Sequence, residues 1–318
     1  MIVVNNKPIQ YNNKFFNFVV DPYNPLNLPP YTIRLKYTEG VTPTFSKGTG
    51  TLVDADENIW DLTYNNGDWS YLLYTKSDLL SVLGANTTGV TSMYCMFQGC
   101  PSLITVPLFE TSNVTNMRYM FFGCESLTTA PLYDTSNVKN IDYMFYNCIS
   151  LTTVPLYDTS NVSSMHSMFL NCIDLSSMPF FDTSNVSDMG FAFASCSSLS
   201  SIPHFDTSKV TDMSYTFSDC RSLNSIPLFD TYNVSSMDST FYNCISVNSL
   251  PLFDTSNLSN ASYCFGGCTN VSAGALDLYN QMSTQANPPV QHEACFRRCG
   301  RDTQTGSAEL AQIPSDWK

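Results

Sequence analysis

Residues 124–147 read CESLTTAPLYDTSNVKNIDYMFYN, and residues 148–171 read CISLTTVPLYDTSNVSSMHSMFLN, aligned without a gap. Outward from this pair, cysteines recur at one fixed interval, at Cys100, Cys124, Cys148, Cys172, Cys196, Cys220, Cys244 and Cys268. A phenylalanine stands at the same short distance ahead of each: Phe97, Phe121, Phe145, Phe169, Phe193, Phe217, Phe241 and Phe265. Pro107, Pro131, Pro155, Pro179, Pro203, Pro227 and Pro251 keep the same register. An unbroken period of this length marks a stack of identical supersecondary units rather than one globular core.

Each unit carries two apolar stretches, marked by Leu127, Ala130 and Leu132 and then by Val138, Ile141, Met144 and Phe145. The residue before each cysteine is Gly, Asn, Ser or Asp, mostly types that tolerate left-handed backbone, so a tight turn belongs there. The other corner, Asp-Thr-Ser-Asn, has short polar side chains able to bond to nearby backbone amides. One coil cannot bury its thin apolar stripe alone, but stacked coils share a continuous core. Eight coils at a strand spacing of about 4.8 Å give a rod of roughly 40 Å. The expected fold is a right-handed repeat solenoid of short β-strands and turns, with the Cys and Phe columns as its internal ladder.

The ends do not repeat. Residues 1–85 are expected to form a small β-rich docking or capping region, 86–268 the solenoid, and 269–318 a last irregular coil with its cap. MIVVNNKPIQ (1–10) reads as a hairpin and YTIRLKY (31–37) as a strand, while Asn65-Asn66-Gly67-Asp68 reads as a turn. DPYNPLNLPP (21–30) reads as a linker or extended arm. Ser77, then DLLSVL, then Gly84 has the cap and stop of a short helix that would shield the first coil. Cys295-Phe296-Arg297-Arg298-Cys299 repeats the Cys264–Cys268 pattern after more than one full period, so a seven-residue insertion is expected in the last coil.

The 318 residues carry 27 acidic and 14 basic side chains, a net charge of -13, which disfavours nucleic acid and anionic lipid as partners. Residues 1–50 hold five basic and two acidic side chains, a basic segment ahead of an acidic body. It reads as a docking arm or as an ordinary cap. No run approaches the roughly 18 apolar residues of a spanning helix, and no Sec-type leader is expected from the N-terminal residues.

Twelve cysteines admit a disulfide framework, but a column beside Phe and Leu favours buried, reduced thiols. Cys264, Cys268, Cys295 and Cys299 could form a four-thiolate zinc site, although Cys264 and Cys295 simply replace Met in a core column. No metal or cofactor is expected. Asp134, Asp158, Asp182, Asp206, Asp230 and Asp254, headed by Glu110, stack in a ladder that needs compensation, from the amides of the same turn or from calcium. The sequons at Asn113, Asn161, Asn185 and Asn233 recur because the turn recurs. His166 and His204 occupy different columns and His292 lies in the cap, so no catalytic constellation forms and a non-enzyme is expected.

Three columns vary between coils and are expected to face solvent, because a buried column tolerates little variety. Their aromatic and polar members mark a candidate binding face: Tyr94, Arg118, Tyr119, Asp142, Tyr143, His166, Phe191, Tyr215, Asp238 and Tyr263.

The recurring L-x-x-V-P-L-F-D-T-S-N-V-x-x-M-x-x-M-F-x-x-C resembles the BspA-like leucine-rich repeat in its Phe- and Met-rich variant, over about residues 86–299. The resemblance implies a surface-exposed adhesion or interaction protein with no common enzymatic activity, of a kind found on bacterial cells and in virion proteins of phages of gut bacteria. The expected role is thus a structural virion surface component, a fibre, spike or decoration protein. It would dock to other virion proteins through its N-terminal region and present the solenoid to a host protein or glycan, with self-association possible. A bacterial cell-surface adhesin is the alternative.

Overall fold

The computed structural model describes residues 26–318, and of residues 1–25 only the backbone of four two-residue strands. In these, β1 (Val3–Val4) pairs antiparallel with β2 (Lys7–Pro8), and β3 (Gln10–Tyr11) with β4 (Lys14–Phe15). Residues 21–25 of the expected linker, and the Asn5-Asn6 turn, lie outside the described residues.

The N-terminal sheet is antiparallel in the order β6-β7-β5-β8, from β5 (Thr32–Tyr37), β6 (Thr49–Asp54), β7 (Ile59–Thr63) and β8 (Leu79–Ala85). TIRLKY alternates, so Ile33, Leu35 and Tyr37 are buried while Arg34 reaches the facing Asp61, Nε to Oδ1 at 2.7 Å and Nη2 to Oδ2 at 2.8 Å.

The helix expected at DLLSVL is a strand instead. One and a half turns nucleate poorly in isolation, whereas here β8 finds ladders on both sides. It pairs antiparallel with β5, and on its other edge it meets the next coil, with Ser81 bridging Thr105 in parallel and Val82 N–H donating to Thr105 at 3.2 Å. This strand joins sheet to solenoid.

Coil-to-coil pairing begins ahead of residue 86, at the parallel bridge of Asp68 with Ser92. Trp69, Leu72 and Leu73 stand one period before Met93, Met96 and Phe97 and are buried with them. The next member of that register is Lys76 rather than Cys, which hides the coil from a search for the cysteine column.

The solenoid is built of turns and isolated parallel bridges rather than of short strands. Along one stretch, the N–H groups of Met117, Tyr119, Phe121 and Gly123 donate across to Asn140, Asp142, Met144 and Tyr146 of the next coil. The intervening Met120, Phe122 and Cys124 donate back along their own chain, to Met117, Tyr119 and Phe121. Left-handed residues at Tyr119 (φ 59°) and Gly123 (φ 71°) curl the backbone this way, so the N–H groups of the stretch find partners although no strand continues.

Inside, the Phe column stacks from Phe97 to Phe296, neighbouring centroids lying 5.4–5.8 Å apart with near-parallel rings. A second aromatic column, Phe109, Tyr133, Tyr157, Phe181, Phe205, Phe229 and Phe253, packs beside it. Tyr133 is thus the core residue of PLYD, while Leu132 points out and is 60% exposed.

The last coil hydrogen-bonds in a register lengthened by the insertion, Phe265 N–H to Cys295 at 2.8 Å and Gly267 N–H to Arg297 at 2.7 Å. The insertion forms α1 (Ala275–Thr284), and the tail closes the end with α2 (Gln304–Gln312) and a short 3-10 turn, Ser315–Trp317. Trp317 stacks on His292 at 4.1 Å and accepts the Phe296 N–H at 2.8 Å, so the terminal phenylalanine is covered. Among the described residues no helix is long and apolar enough to cross a membrane.

Candidate functional site

In the stretch from Met117 to Cys124, residues 117, 120, 121 and 124 point into the core, which leaves 118, 119 and 122 outside. The 119 column (Cys95, Tyr119, Tyr143, Ser167, Phe191, Tyr215, Ser239, Tyr263) is left-handed throughout, with φ between 53° and 59°. A side chain there costs on the order of 1–2 kcal/mol. Bulky rings in that conformation need an offsetting contact, and they have one.

Rings of adjacent coils lie face to face. Tyr119 and Tyr143 are 4.6 Å apart at 11°, Phe191 and Tyr215 4.5 Å apart at 3°, and Phe122 and Tyr146 4.5 Å apart at 4°. This corrects the expectation of a freely solvated column. The aromatic members are half-buried and Cys95, Ser167 and Ser239 are buried, because the coil spacing is close to ring thickness and each side chain covers its neighbour.

The row is continuous over much of the rod. Tyr71 meets Tyr94 at 5.2 Å, Tyr94 meets Tyr119 at 5.9 Å, and His166 links Tyr143 (5.4 Å) to Phe191 (5.9 Å). Polar groups are set among the rings. The Arg118 guanidinium lies 4.9 Å from the Tyr119 centroid and 5.7 Å from that of Tyr143, its Nε 3.9 Å from Asp142. That Nε is buried without a hydrogen-bond partner among the described residues. Asp142 also accepts from Ser164 Oγ at 2.7 Å, and His166 Nδ1 lies 3.3 Å from Asp188. Hydrogen bonding to Tyr71, with burial second, holds the Tyr94 hydroxyl far above its ordinary value of 10.0, so it stays protonated.

Eight of the ten expected residues, Tyr94 to Tyr215, thus come together. Asp238 does not join the aromatic row; it accepts from Ser239 Oγ at 2.9 Å. Tyr263 lies beyond it and packs edge-on against Tyr242 at 6.2 Å. Tyr71 and Tyr74, each 42% exposed and 5.5 Å apart, extend the row at its N-terminal end. The signal for them was their place one period before Cys95 and Gln98.

A second surface was not foreseen. Leu132, Leu156, Phe180, Leu228 and Leu252 are 54–60% exposed in one column, interrupted by His204. Two positions on, the Asp ladder faces solvent beside them. Each carboxylate is satisfied by its own turn; Asp158 accepts from Ser160 N at 3.0 Å and Ser160 Oγ at 2.6 Å. The hydroxyl bond, then the amide bond, holds Asp134, Asp158, Asp182, Asp206 and Asp254 below the usual carboxylate value. Neighbouring turns are tied by Thr135 Oγ1 to Asp158 O at 2.8 Å and Asn161 Nδ2 to Ser136 O at 2.7 Å.

The ladder thiols face inward, each donating to a backbone carbonyl, as Cys172 Sγ does to Phe145 at 3.0 Å. Burial pushes Cys100 and Cys268 up to about 12, so these thiols are poor nucleophiles. Among the described residues no group of three His, Cys, Asp or Glu side chains is arranged to hold a metal ion.

The family model described as "Mycoplasma protein of unknown function, DUF285" matches this sequence twice, over residues 74–180 and 172–277. The first match begins ahead of residue 86, inside the coil that carries Tyr74. A leucine-rich repeat protein of T. pallidum is 17% identical over 85% of this chain and 94% of its own, with a TM-score of 0.29. One from Eubacterium ventriosum is 15% identical over 85% and 95%, with a TM-score of 0.31. No curated protein matches the chain.

Proposed function

We propose, for a chain that belongs to the family described as Mycoplasma protein of unknown function, DUF285, that the solenoid is a non-enzymatic interaction module. Its aromatic row is the surface that grips a partner protein or glycan. The observation that carries this reading is the continuous run of rings from Tyr71 to Tyr215, with Arg118, Asp142 and His166 set among them. Rings already stacked on one another lose little further freedom on binding, and their edges and hydroxyls offer apolar area with polar handles. The left-handed backbone at Tyr119, Tyr143, Phe191 and Tyr215 lays each ring on its neighbour in the next coil, so the row is in place before a partner arrives.

The module belongs, in this reading, on the outside of a particle, a phage virion to which the N-terminal region docks it. The family's description names Mycoplasma, a bacterial setting, and the second reading is display on a bacterial cell surface. Mass spectrometry of purified virions and of surface-shaved uninfected cells separates the two by which preparation contains the chain.

For the face itself, labelled full-length chain is titrated onto candidate host cells beside the Tyr119→Gly/Tyr143→Gly variant. Glycine keeps the left-handed backbone while removing both rings, so loss of cell binding with an intact melting transition is the expected result. Undiminished binding by a folded variant removes the aromatic row as the recognition surface.

A further inference from the structure

Three of the chain's six arginines, Arg297, Arg298 and Arg301, fall within the last coil of a strongly acidic protein. All three are exposed, and all three line one cavity of about 410 Å³ together with Tyr242, Asn243, Ile245, Gly267 and Thr269. Residues 86–268 carry fourteen acidic and four basic side chains, against five and four in residues 269–318. The cavity is therefore a local positive site at the end of a negative rod.

The coil register shows how it is built. Arg297 continues the column of Phe122, Tyr146 and Tyr242, and Gly266 stands between it and Tyr242. A Cβ at Gly266 would come within 3.1 Å of the Tyr242 ring, so the missing side chain is what lets that ring lie over the next coil. Arg298 takes the left-handed turn position (φ 61°) that Gly, Asn, Ser or Asp fills in the coils from Gly99 to Gly267. A long cation at a strained position is an unusual choice for a turn alone.

The charges are only partly neutralised from within. Arg301 Nε lies 3.3 Å from Asp302, whereas Arg297 and Arg298 have no carboxylate within 4.0 Å among the described residues. In the same turn column the acid is Asp219, three coils back, and it is held by Arg221 at 3.0 Å and by Asn243 Nδ2 at 3.2 Å.

We propose that this cavity binds the anionic group of an acidic saccharide, a uronate carboxylate or a sulfate ester. The guanidinium forks of Arg297 and Arg298 take the anion's oxygens. The Tyr242 ring supports the sugar, and the Asn243 amide and Thr269 hydroxyl answer its hydroxyls. The site is separate from the aromatic row, and its volume is in the range of small-ligand pockets, which run from about 300 to 1,000 Å³.

The test is ligand-observed NMR and calorimetric titration of the full chain with glucuronic acid, glucose 6-sulfate, glucose and inorganic sulfate. One or both acidic sugars should bind, and glucose on the order of tenfold more weakly or not at all. The first two arms distinguish a carboxylate from a sulfate site. An Arg297→Ala/Arg298→Gly variant should lose on the order of tenfold or more in affinity, with unchanged circular dichroism and melting. Arg221→Ala and Tyr119→Gly/Tyr143→Gly should bind the acidic sugars as the unaltered chain does. Equal binding of glucose and glucuronic acid would overturn the proposal, as would full affinity in the arginine variant or loss in the tyrosine variant. Inorganic sulfate binding as tightly as either acidic sugar would overturn the saccharide assignment.

Discussion

At the scale of single residues, apolar side chains of one repeat differ sharply in what they hold up. Phe169 is fully buried, stacked 5.6 Å from Phe145 and 5.5 Å from Phe193. Truncation leaves a gap between two rings that cannot close without breaking coil spacing. Phe169→Ala should cost about 3–5 kcal/mol, read as a lowered urea midpoint. Leu156, 57% exposed, makes the contrast: Leu156→Ser should stay within about 0.5 kcal/mol of the unaltered chain. The thiols yield a pH prediction. Burial raises Cys100 and Cys268 to about 12 from an ordinary 9.0, so the unfolded chain ionises first. Their contribution to stability is whole below pH 9.0 and declines as pH rises toward 12. Native protein at pH 8 should therefore react with a thiol reagent only after denaturant is added, while urea midpoints fall progressively above pH 9. Rapid labelling of the ladder cysteines in the folded chain would contradict the buried column.

At the scale of the element, the coil is a set of turns fixed by two left-handed residues, and only one of them was legible. The turn before each cysteine carries Gly, Asn, Ser or Asp, mostly residues that accept positive φ at little cost, so its conformation could be read directly. The other carries Tyr and Phe, whose intrinsic preferences point away from that conformation; stacking on the next coil decides it, and a neighbour in space is invisible in a single unit. The same reason explains β8. DLLSVL has the end signals of a helix, but the open edge of Thr32–Tyr37 on one side and Thr105 on the other override them. The extra coil at Trp69 was hidden because Leu73 and Lys76 replace Phe and Cys, although the register of the period was kept. Ser195 offers a direct check on the turn. It sits at φ 60°, where Gly99, Gly123 and Gly267 occupy the same place in other coils. Ser195→Gly should stabilise by roughly 0.5–1 kcal/mol through relief of the left-handed strain, a rise in melting temperature, whereas Ser195→Val should lower it.

At the scale of the whole molecule, the architecture was legible because the repeat is a translation. Every inward column could be placed from one unit, and the core ladder follows. The surface was only half legible. Variation between coils pointed to the aromatic columns, but whether a varied side chain is solvated or laid on its neighbour depends on the coil spacing. The exposed Leu column escaped notice for the opposite reason: it is regular and apolar, which reads as core until Tyr133 is seen to take the inward place. The stack also makes a prediction about its own size. Each coil hands its hydrogen bonds to the next in one register, Tyr119 to Asp142 and Tyr143 to His166, so a whole period can be removed without altering any column. Excising residues 148–171 joins Asn147 to Cys172 and brings Phe193 against Phe145 in the place of Phe169. In a quasi-one-dimensional stack, stability is close to a sum over units and their interfaces, so this deletion should keep a single cooperative transition with a melting temperature lowered by a few degrees. Excising residues 148–159 removes half a period, turns the Phe and Asp columns to opposite sides of the coil, and should abolish the transition. Far-UV circular dichroism melts of the two deletions side by side decide it: equal loss in both would mean that the coils are not interchangeable and that stability is concentrated at the capped ends.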